Sequence, residues 1–278
     1  MNVARRRLAL VVIACVLAAL TTAAAGNLWG EEQTRADSTG TYSPDTSLPA
    51  TAPHPEARCP GPGAPPVHRT LAGPMVAVKQ LVLTTADGVK LAAVRVGGGG
   101  RGVVLVHEDD SDLCTWWAYA RRLAAGGYHV LAFDLRCHGF SECGRRRDYA
   151  ADAHAAVAAL RAAGAARVVV AGTELGANVA VVAAARDAGT STGAVALAPR
   201  PFDVPVTDES GPRTIAEAVP RLRVPVLVCL GELDAVLTLL GEAWRVLPRL
   251  CDGRGMDALT EGPDSVEPHV AAFLAAHT

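Results

Sequence analysis

The sequence predicts an α/β fold with a mostly parallel central sheet, helices on both faces and a β-hairpin at its start. Three observations predict it. Short all-apolar runs recur between residues 103 and 230, as expected of strands buried on both faces. Segments of helical period lie between these runs, and several of them end at glycine. The triplet Ala86-Asp87-Gly88 separates two alternating segments and is typical of a hairpin turn.

Each element follows from its own pattern. The hairpin strands alternate apolar and polar residues, the later strands are apolar throughout, and the helices carry apolar residues at helical spacing. In order, the predicted elements are strands at Val76–Thr84, Lys90–Val96 and Val103–Val106, a helix at Leu113–Ala125, a strand at Val130–Phe133, a helix at Tyr149–Ala163, a strand at Arg167–Ala171, a helix at Ala177–Ala188, strands at Ala194–Leu197 and Val226–Leu230, and a helix at Val266–His277. Residues Trp244–Leu250 fit either a last strand or the end of a helix. Because the segment from Pro199 to Pro220 is short, we expect a small lid or none.

Residues 1–25 are typical of a targeting segment. Three arginines, Arg5 to Arg7, precede the apolar run Leu8–Leu20, and Ala23-Ala24-Ala25 fits a signal-peptide cleavage site. An uncleaved membrane anchor formed by residues 8–25 is the alternative, since that stretch is close to the lower length limit for a span. A lipoprotein site at Cys15 is a third interpretation. All three predict a secreted or membrane-anchored protein outside the cytoplasm.

Two further regions follow the targeting segment. Residues 26–73 are rich in Pro, Gly, Ser and Thr and have no apolar period, which predicts a disordered linker. Residues 74–278 then form a single folded domain of ordinary size. The formal net charge of −2 gives no nucleic-acid footprint, so no nucleic-acid partner is expected.

The cysteines agree with an exported protein. Beyond Cys15 there are six, which allow fifteen pairings, so the connectivity does not follow from the sequence alone. We predict Cys59–Cys114 and the local pair Cys137–Cys143. Cys229 either pairs with Cys251 or is a buried free thiol. No C-x-x-C spacing indicates zinc.

Five short motifs follow the predicted strands in chain order. They are Val103-Val104-Leu105-Val106-His107, Phe133 to Ser141 (F-D-L-R-C-H-G-F-S), Gly172-Thr173-Glu174-Leu175-Gly176, Leu230-Gly231-Glu232-Leu233-Asp234, and Gly253 to Leu259 (G-R-G-M-D-A-L). In this order they resemble the oxyanion strand, the D-x-R-G-x-G-x-S turn, the nucleophile elbow, the acid segment and the base segment of the α/β-hydrolase superfamily, in particular its esterases and dienelactone hydrolases. The resemblance covers the folded region and implies the α/β-hydrolase fold.

The triad that the resemblance implies is altered at two positions. Glu174 stands in place of the nucleophilic serine, Asp234 supplies the acid, and Arg254 stands in place of histidine. A guanidinium keeps its proton at any relevant pH and cannot be a general base. The two replacements have complementary charge, so we expect Glu174, Arg254 and Asp234 to form an ion-pair triad.

The alternative is a working hydrolase with Glu174 in the active role. Relatives that cleave alkyl halides or open epoxides carry an aspartate at the elbow, and weak esterase activity through an unrecognised base is a further variant. Glutamate is one methylene longer, however, which displaces its oxygen from the attack position by about a bond length. No histidine falls in the base segment to activate water.

The oxyanion loop is acidic where the family has glycines. The resemblance implies that the main-chain N–H of Glu108 or Asp109 and that of Leu175 occupy the oxyanion positions. The surrounding acids would oppose a developing negative charge. They either form a cation site or are a solvated loop, and their spacing does not match an EF-hand. We therefore expect an exported, non-catalytic α/β-hydrolase-fold protein that acts as a scaffold or binds an unknown small-molecule or protein ligand, without a metal or cofactor.

Overall fold

The computed structural model describes residues 77–186, 191–230, 246–250, 259 and 265–278. All of them belong to the second of two units into which the chain divides, Leu48–Thr278. The predicted targeting segment and linker, residues 1–73, lie outside the described residues. So do Asp234 and Arg254. No helix within the described residues is long and apolar enough to cross a membrane.

The described elements alternate as the sequence predicts. The strands are β1 (Val78–Thr84), β2 (Lys90–Gly97), β3 (Arg101–Val106), β4 (His129–Phe133), β5 (Arg167–Thr173), β6 (Gly193–Leu197), β7 (Val226–Leu230) and β8 (Val246–Leu250), and the helices are α1 (Trp117–Ala125), α2 (Tyr149–Ala162), α3 (Leu175–Arg186), α4 (Ile215–Ala218) and α5 (Glu267–His277). Short 3₁₀ turns at Leu113–Trp116 and Val219–Arg221 adjoin α1 and α4. The predicted helix at Leu113–Ala125 is thus a 3₁₀ turn followed by an α-helix.

Within the described residues, eight strands form one sheet in the order β1-β2-β4-β3-β5-β6-β7-β8. The hairpin strand β2 pairs antiparallel with both β1 and β4, and every later pair is parallel. The predicted α/β-hydrolase fold with its opening hairpin is confirmed. Of the two interpretations of Trp244–Leu250, the strand is confirmed, because Val246–Leu250 pairs with β7.

Both faces of the sheet are buried by helices. One core contains α2, α3 and α4 with strand residues such as Val104 and Val106. The other contains α1 and α5 with Val103 and Leu105. Successive residues of β3 therefore enter opposite cores, which explains why the strand is apolar at every position from 103 to 106. The central strands are therefore held by packing on both faces. Because they run parallel, the loops that follow them lie at the same edge of the sheet, its carboxyl edge.

A charged network fixes the hairpin to this edge. The Arg136 side chain is 2% exposed and makes a bidentate pair with Asp152, which is fully buried. Arg136 also donates from Nη1 to Asp87 Oδ2 at 2.9 Å, which reaches the β1–β2 turn. The hydrogen bond from Arg136 holds the pKa of Asp87 below its ordinary value. The hairpin turn and the α2 helix are thus held by a single guanidinium.

The predicted local disulfide is confirmed. Cys137 and Cys143 are bonded and close a loop directly after the turn motif that follows β4. Cys114 and Cys229 are also disulfide-bonded. Cys229 is therefore not the free thiol that the sequence left open. The predicted partners Cys59 and Cys251 lie outside the described residues.

Candidate functional site

Glu174 lies at a sharp turn between β5 and α3. Its φ is +48°, in the left-handed region that non-glycine residues seldom adopt. The Glu174 N–H donates to Leu197 O at 3.0 Å, and its carbonyl accepts from Ala177 N and Asn178 N at 3.1 and 3.2 Å. These bonds start α3 immediately after the turn, two residues earlier than predicted. The half-buried Glu174 side chain is thereby presented at the carboxyl edge of the sheet.

The two glycines of the elbow are required by close main-chain contacts. A Cβ on Gly172 would overlap the carbonyl group of Gly176 and come within 2.8 Å of Ala177 N. A Cβ on Gly176 would overlap the carbonyl oxygens of Val106 and His107 at the end of β3. The turn is therefore packed main chain against main chain, which is the geometry of a nucleophile elbow.

His107, at the start of the oxyanion loop, has both ring nitrogens engaged. The ring is fully buried, with Nδ1 2.6 Å from Glu108 O and Nε2 3.0 Å from the Leu135 N–H. A neutral ring protonated on Nδ1 satisfies both bonds, whereas a proton on Nε2 would oppose the Leu135 N–H. Burial lowers the pKa of His107, which agrees with the neutral form. His107 holds the loop in place and is not available as a base.

Two acidic residues of the oxyanion loop turn towards neighbouring strands. Glu108 Oε2 accepts from Thr173 Oγ1 at 3.0 Å, so a carboxylate lies beside the residue that precedes Glu174. Asp109 is in ion-pair contact with Arg200, which follows β6. On its other side Asp109 Oδ1 lies 3.7 Å from His138 Nε2. Among the described residues, the N–H of Leu175 has no hydrogen-bond partner.

Backbone strain is concentrated at this edge. Among the described residues, four non-glycine residues have positive φ: Asp110, Cys137, Glu174 and Ala198. They follow β3, β4, β5 and β6, the four central strands, at the same edge of the sheet. Such residues cost about 1–3 kcal/mol each and cluster at functional sites. The strain marks the carboxyl edge as the candidate functional site.

A family model described as the alpha/beta hydrolase family matches residues 103–277. The chain belongs to the alpha/beta hydrolase family. A search of curated proteins found no match. Among solved structures it is similar to an esterase of Pyrococcus furiosus, with 22% identity, 73% of this chain and 91% of that chain covered, and a TM-score of 0.61.

Two other solved structures extend the likeness. One is an alpha/beta hydrolase of Penicillium sp. sh18, with 17% identity, 72% of this chain and 99% of that chain covered, and a TM-score of 0.59. The other is a deformylase of Pseudomonas putida S16, with 18% identity, 70% and 100% covered, and a TM-score of 0.55. At these identities the likeness is one of fold.

This member of the alpha/beta hydrolase family keeps the architecture around an altered elbow. The structure brings together four of the predicted site residues, Glu174, Leu175, Glu108 and Asp109. Arg254, the proposed partner of Glu174, and Asp234, the second carboxylate of the triad, lie outside the described residues, so the ion-pair triad stays a prediction. Within the described part of the chain, no group of three or more His, Cys, Asp or Glu side chains could hold a metal ion.

No sequence motif predicted a role for Arg200, whose side chain contacts Asp109 of the oxyanion loop. A signal was present, because Arg200 follows a predicted parallel strand by three residues and so belongs to the same edge as the elbow. His138, in the turn after β4, also meets this loop: its Nδ1 lies 2.9 Å from Arg136 O, while its other nitrogen faces Asp109.

Proposed function

We propose that this protein is an exported member of the alpha/beta hydrolase family that lacks serine-hydrolase chemistry and binds a ligand at the carboxyl edge of its sheet. The observation that carries the proposal is the elbow itself. Its turn, both glycines and its left-handed residue are kept, but the side chain it presents is a carboxylate. Acyl transfer by this fold needs a hydroxyl at that point.

The oxyanion position is also unfavourable for acyl transfer. The Glu108 carboxylate hydrogen-bonds Thr173 next to the elbow, and Glu174 adds a second negative charge. A charge about 4 Å from an oxyanion opposes it by about 4 kcal/mol at an effective dielectric constant of 20. A single oxyanion donor contributes about 3–4 kcal/mol. A carboxylate at that separation would therefore cancel what the Leu175 N–H would supply.

A general base is the third missing part. His107 has both nitrogens engaged by main-chain groups. Arg254 stands at the base position in the motif, and its guanidinium cannot accept a proton. We propose that Arg254 pairs with Glu174 and Asp234, so that the three altered positions neutralise one another. An Arg254 more than about 6 Å from both carboxylates in an experimental structure would remove this part of the proposal.

The strained backbone at the four strand ends supports a present binding role rather than a site without any function. Left-handed backbone at four strand ends is maintained at a free-energy cost, and it aims loops and side chains into one region. Export is supported by the composition of residues 1–25 and by the disulfide between Cys137 and Cys143, since disulfides persist in oxidising compartments. A cleaved signal and a membrane anchor both fit this proposal.

One observation favours a second candidate function. Glu174 occupies the nucleophile position in the nucleophile's own backbone conformation, which suits a carboxylate that attacks an epoxide or alkyl halide carbon. In that case a Glu174 oxygen would bond to the carbon as the carbon–halogen or ring carbon–oxygen bond breaks, releasing halide or leaving an alkoxide that takes a proton from water. Water would then hydrolyse the ester to the alcohol and free Glu174. The longer side chain of glutamate and the arginine at the base position are the reasons for ranking it second.

The test uses the purified full chain with short-chain aryl esters, a fluorophosphonate probe, and an epoxide or haloalkane probe. We expect no labelling and no ester turnover. Fluorophosphonate labelling or burst release would refute the non-catalytic proposal. Labelling by the epoxide or haloalkane probe that disappears in Glu174→Gln would support the second function. The double variant Glu174→Ser with Arg254→His asks whether the pocket can still support turnover.

A further inference from the structure

The loops on either side of the elbow are joined by a charged contact. β5 lies between β3 and β6 in the sheet, and Glu174 follows β5. Asp109 comes three residues after β3 ends, and Arg200 comes three residues after β6 ends. Strands are about 4.8 Å apart, so an ion pair between these loops bridges about 10 Å at the end of β5. We propose that the Asp109–Arg200 pair is a strap that restricts access to Glu174 and opens to admit ligand.

The inference rests on the proposed binding at this edge and adds its regulation. His138 extends the strap, since its Nε2 faces Asp109 from the loop after β4. The contacts from His138 to Asp109 to Arg200 thus cross the ends of all four central strands, because the strand order is β4-β3-β5-β6. In this proposal, a ligand that approaches the elbow across the ends of these strands meets these three side chains.

The main chain beneath the strap is anchored on both sides. Asn178 Nδ2 on α3 donates to the carbonyls of Arg200 and Pro201 at 3.5 and 3.3 Å. The Glu108 carboxylate is held by Thr173 at the end of β5. Opening therefore requires the Arg200 side chain to rotate away rather than the loops to move. Side-chain rotation of this kind is fast on the time scale of binding.

The strap is weak enough to open. The side chains of Arg200 and Asp109 are 42% and 39% exposed, so their attraction is screened by water and salt. Exposed pairs of this type change an equilibrium by about two- to fivefold. Strong burial would have made a permanent closure, whereas this pair permits exchange with a ligand.

Access to the elbow can be measured with a thiol placed at position 174. Cysteine suits this backbone, since Cys137 already adopts positive φ in the same protein. The other described cysteines are disulfide-bonded. Alkylation of the parent chain, which has glutamate at position 174, is measured in parallel and subtracted to account for any cysteine outside the described residues. Full-length Glu174→Cys is alkylated with neutral iodoacetamide over a range of pH. The limiting thiolate rate separates access from any change in thiol pKa.

The variants are Arg200→Ala and Arg200→Lys in the Glu174→Cys background, with Arg122→Ala as the control. Arg122 forms an exposed ion pair with Glu267 at 3.2 Å away from the strap. We expect Arg200→Ala to raise the limiting alkylation rate about two- to fivefold, Arg200→Lys to raise it less, and Arg122→Ala to leave it unchanged. In 1 M salt the limiting alkylation rate should rise for Glu174→Cys with Arg200 intact, because salt screens the ion pair, and should not rise when Arg200→Ala is also present.

An Arg200→Ala rate equal to that of its parent, with unchanged thermal unfolding, would overturn the strap. The same rate increase in the Arg122→Ala control would overturn it too, since the effect would then be general loosening. Neither result touches the proposed function, which fails separately if the unmodified chain hydrolyses esters. The two failures are therefore distinguishable.

Discussion

The left-handed backbone at Glu174 predicts that Glu174→Gly is more stable than Glu174→Ala. A left-handed conformation costs an L-residue about 1–2 kcal/mol, and glycine removes that cost. Glycine also adds about 0.4–1 kcal/mol of chain entropy to the unfolded state. The difference leaves glycine about 0.5–1 kcal/mol more stable than alanine. For a domain of this size that corresponds to about 1–4 °C in Tm.

The measurement is urea unfolding of the two full-length variants, with the m value checked for constancy. Because neither side chain can form an ion pair, the comparison isolates the backbone at position 174. An alanine variant as stable as the glycine variant would refute the reasoning from the φ of +48°. At position 180, in the middle of α3, the order should be reversed: Ala180→Gly should be less stable than the parent chain with its alanine, because glycine destabilises a helix interior.

Urea unfolding of variants at positions 174 and 254 tests the ion-pair triad. If Arg254 pairs with Glu174, the variants Glu174→Ala and Arg254→Ala should each destabilise the protein, and the double variant should lose less than the sum. Coupling between contacting residues is about 0.5–3 kcal/mol, whereas independent sites add within about 0.5 kcal/mol. Additive losses in urea unfolding would remove the triad and leave Glu174 with another partner or none.

Three further predictions concern the frame of the site. Gly176→Ala should destabilise the protein by about 1–3 kcal/mol, because its Cβ would meet two carbonyl oxygens. Gly98→Ala, whose Cβ would point into open space, should change the free energy of unfolding by no more than about 0.5 kcal/mol. Equal losses for the two variants in urea unfolding would contradict this. Arg136→Met leaves the buried Asp152 carboxylate unpaired and should lose about 3–5 kcal/mol by the same assay, and a loss below 1 kcal/mol would count against it. The folded pKa of His107 lies below its unfolded value, so the unfolded chain binds the extra proton and stability should fall as the pH drops below about 6.5. His107→Gln should flatten that slope between pH 7.5 and 5.5, and an unchanged slope would exclude His107 as its source.

The sheet could be predicted because its signals are local. Strands such as Val103–Val106 enter two cores at once and are therefore apolar at every position. The elbow could also be predicted, since its two glycines are required by main-chain contacts and no other residue fits. The short Cys137–Cys143 loop is likewise a matter of spacing. The start of α3 was misplaced by two residues, because the Glu174 carbonyl already accepts the first helical bonds.

The contacts between the edge loops could not be predicted. Arg200 and Asp109 are 91 residues apart and meet because β3, β5 and β6 are neighbours in space. The Thr173–Glu108 bond depends on side-chain directions that no sequence period encodes. His107 ends an apolar run in the sequence, and only the structure reveals that both of its nitrogens are used by main chain. Long-range polar pairs of this kind follow from topology and rotamer, not from pattern.

The altered elbow raises a question of free energy that points to its present role. A left-handed turn serves catalysis by exposing a nucleophile, and a chain that has lost the hydroxyl could relax the turn by placing glycine there. Position 174 instead holds glutamate, which keeps the backbone strain and adds a negative charge beside the oxyanion loop, which already carries Glu108 and Asp109. Like charges brought together at one edge are unfavourable unless cations pair with them. Arg200 forms an ion pair with Asp109, and Arg254 is the proposed partner of Glu174. The turn is therefore best understood as a device for presenting a carboxylate, and the coupling measured between positions 174 and 254 tests whether Arg254 is the cation that meets it.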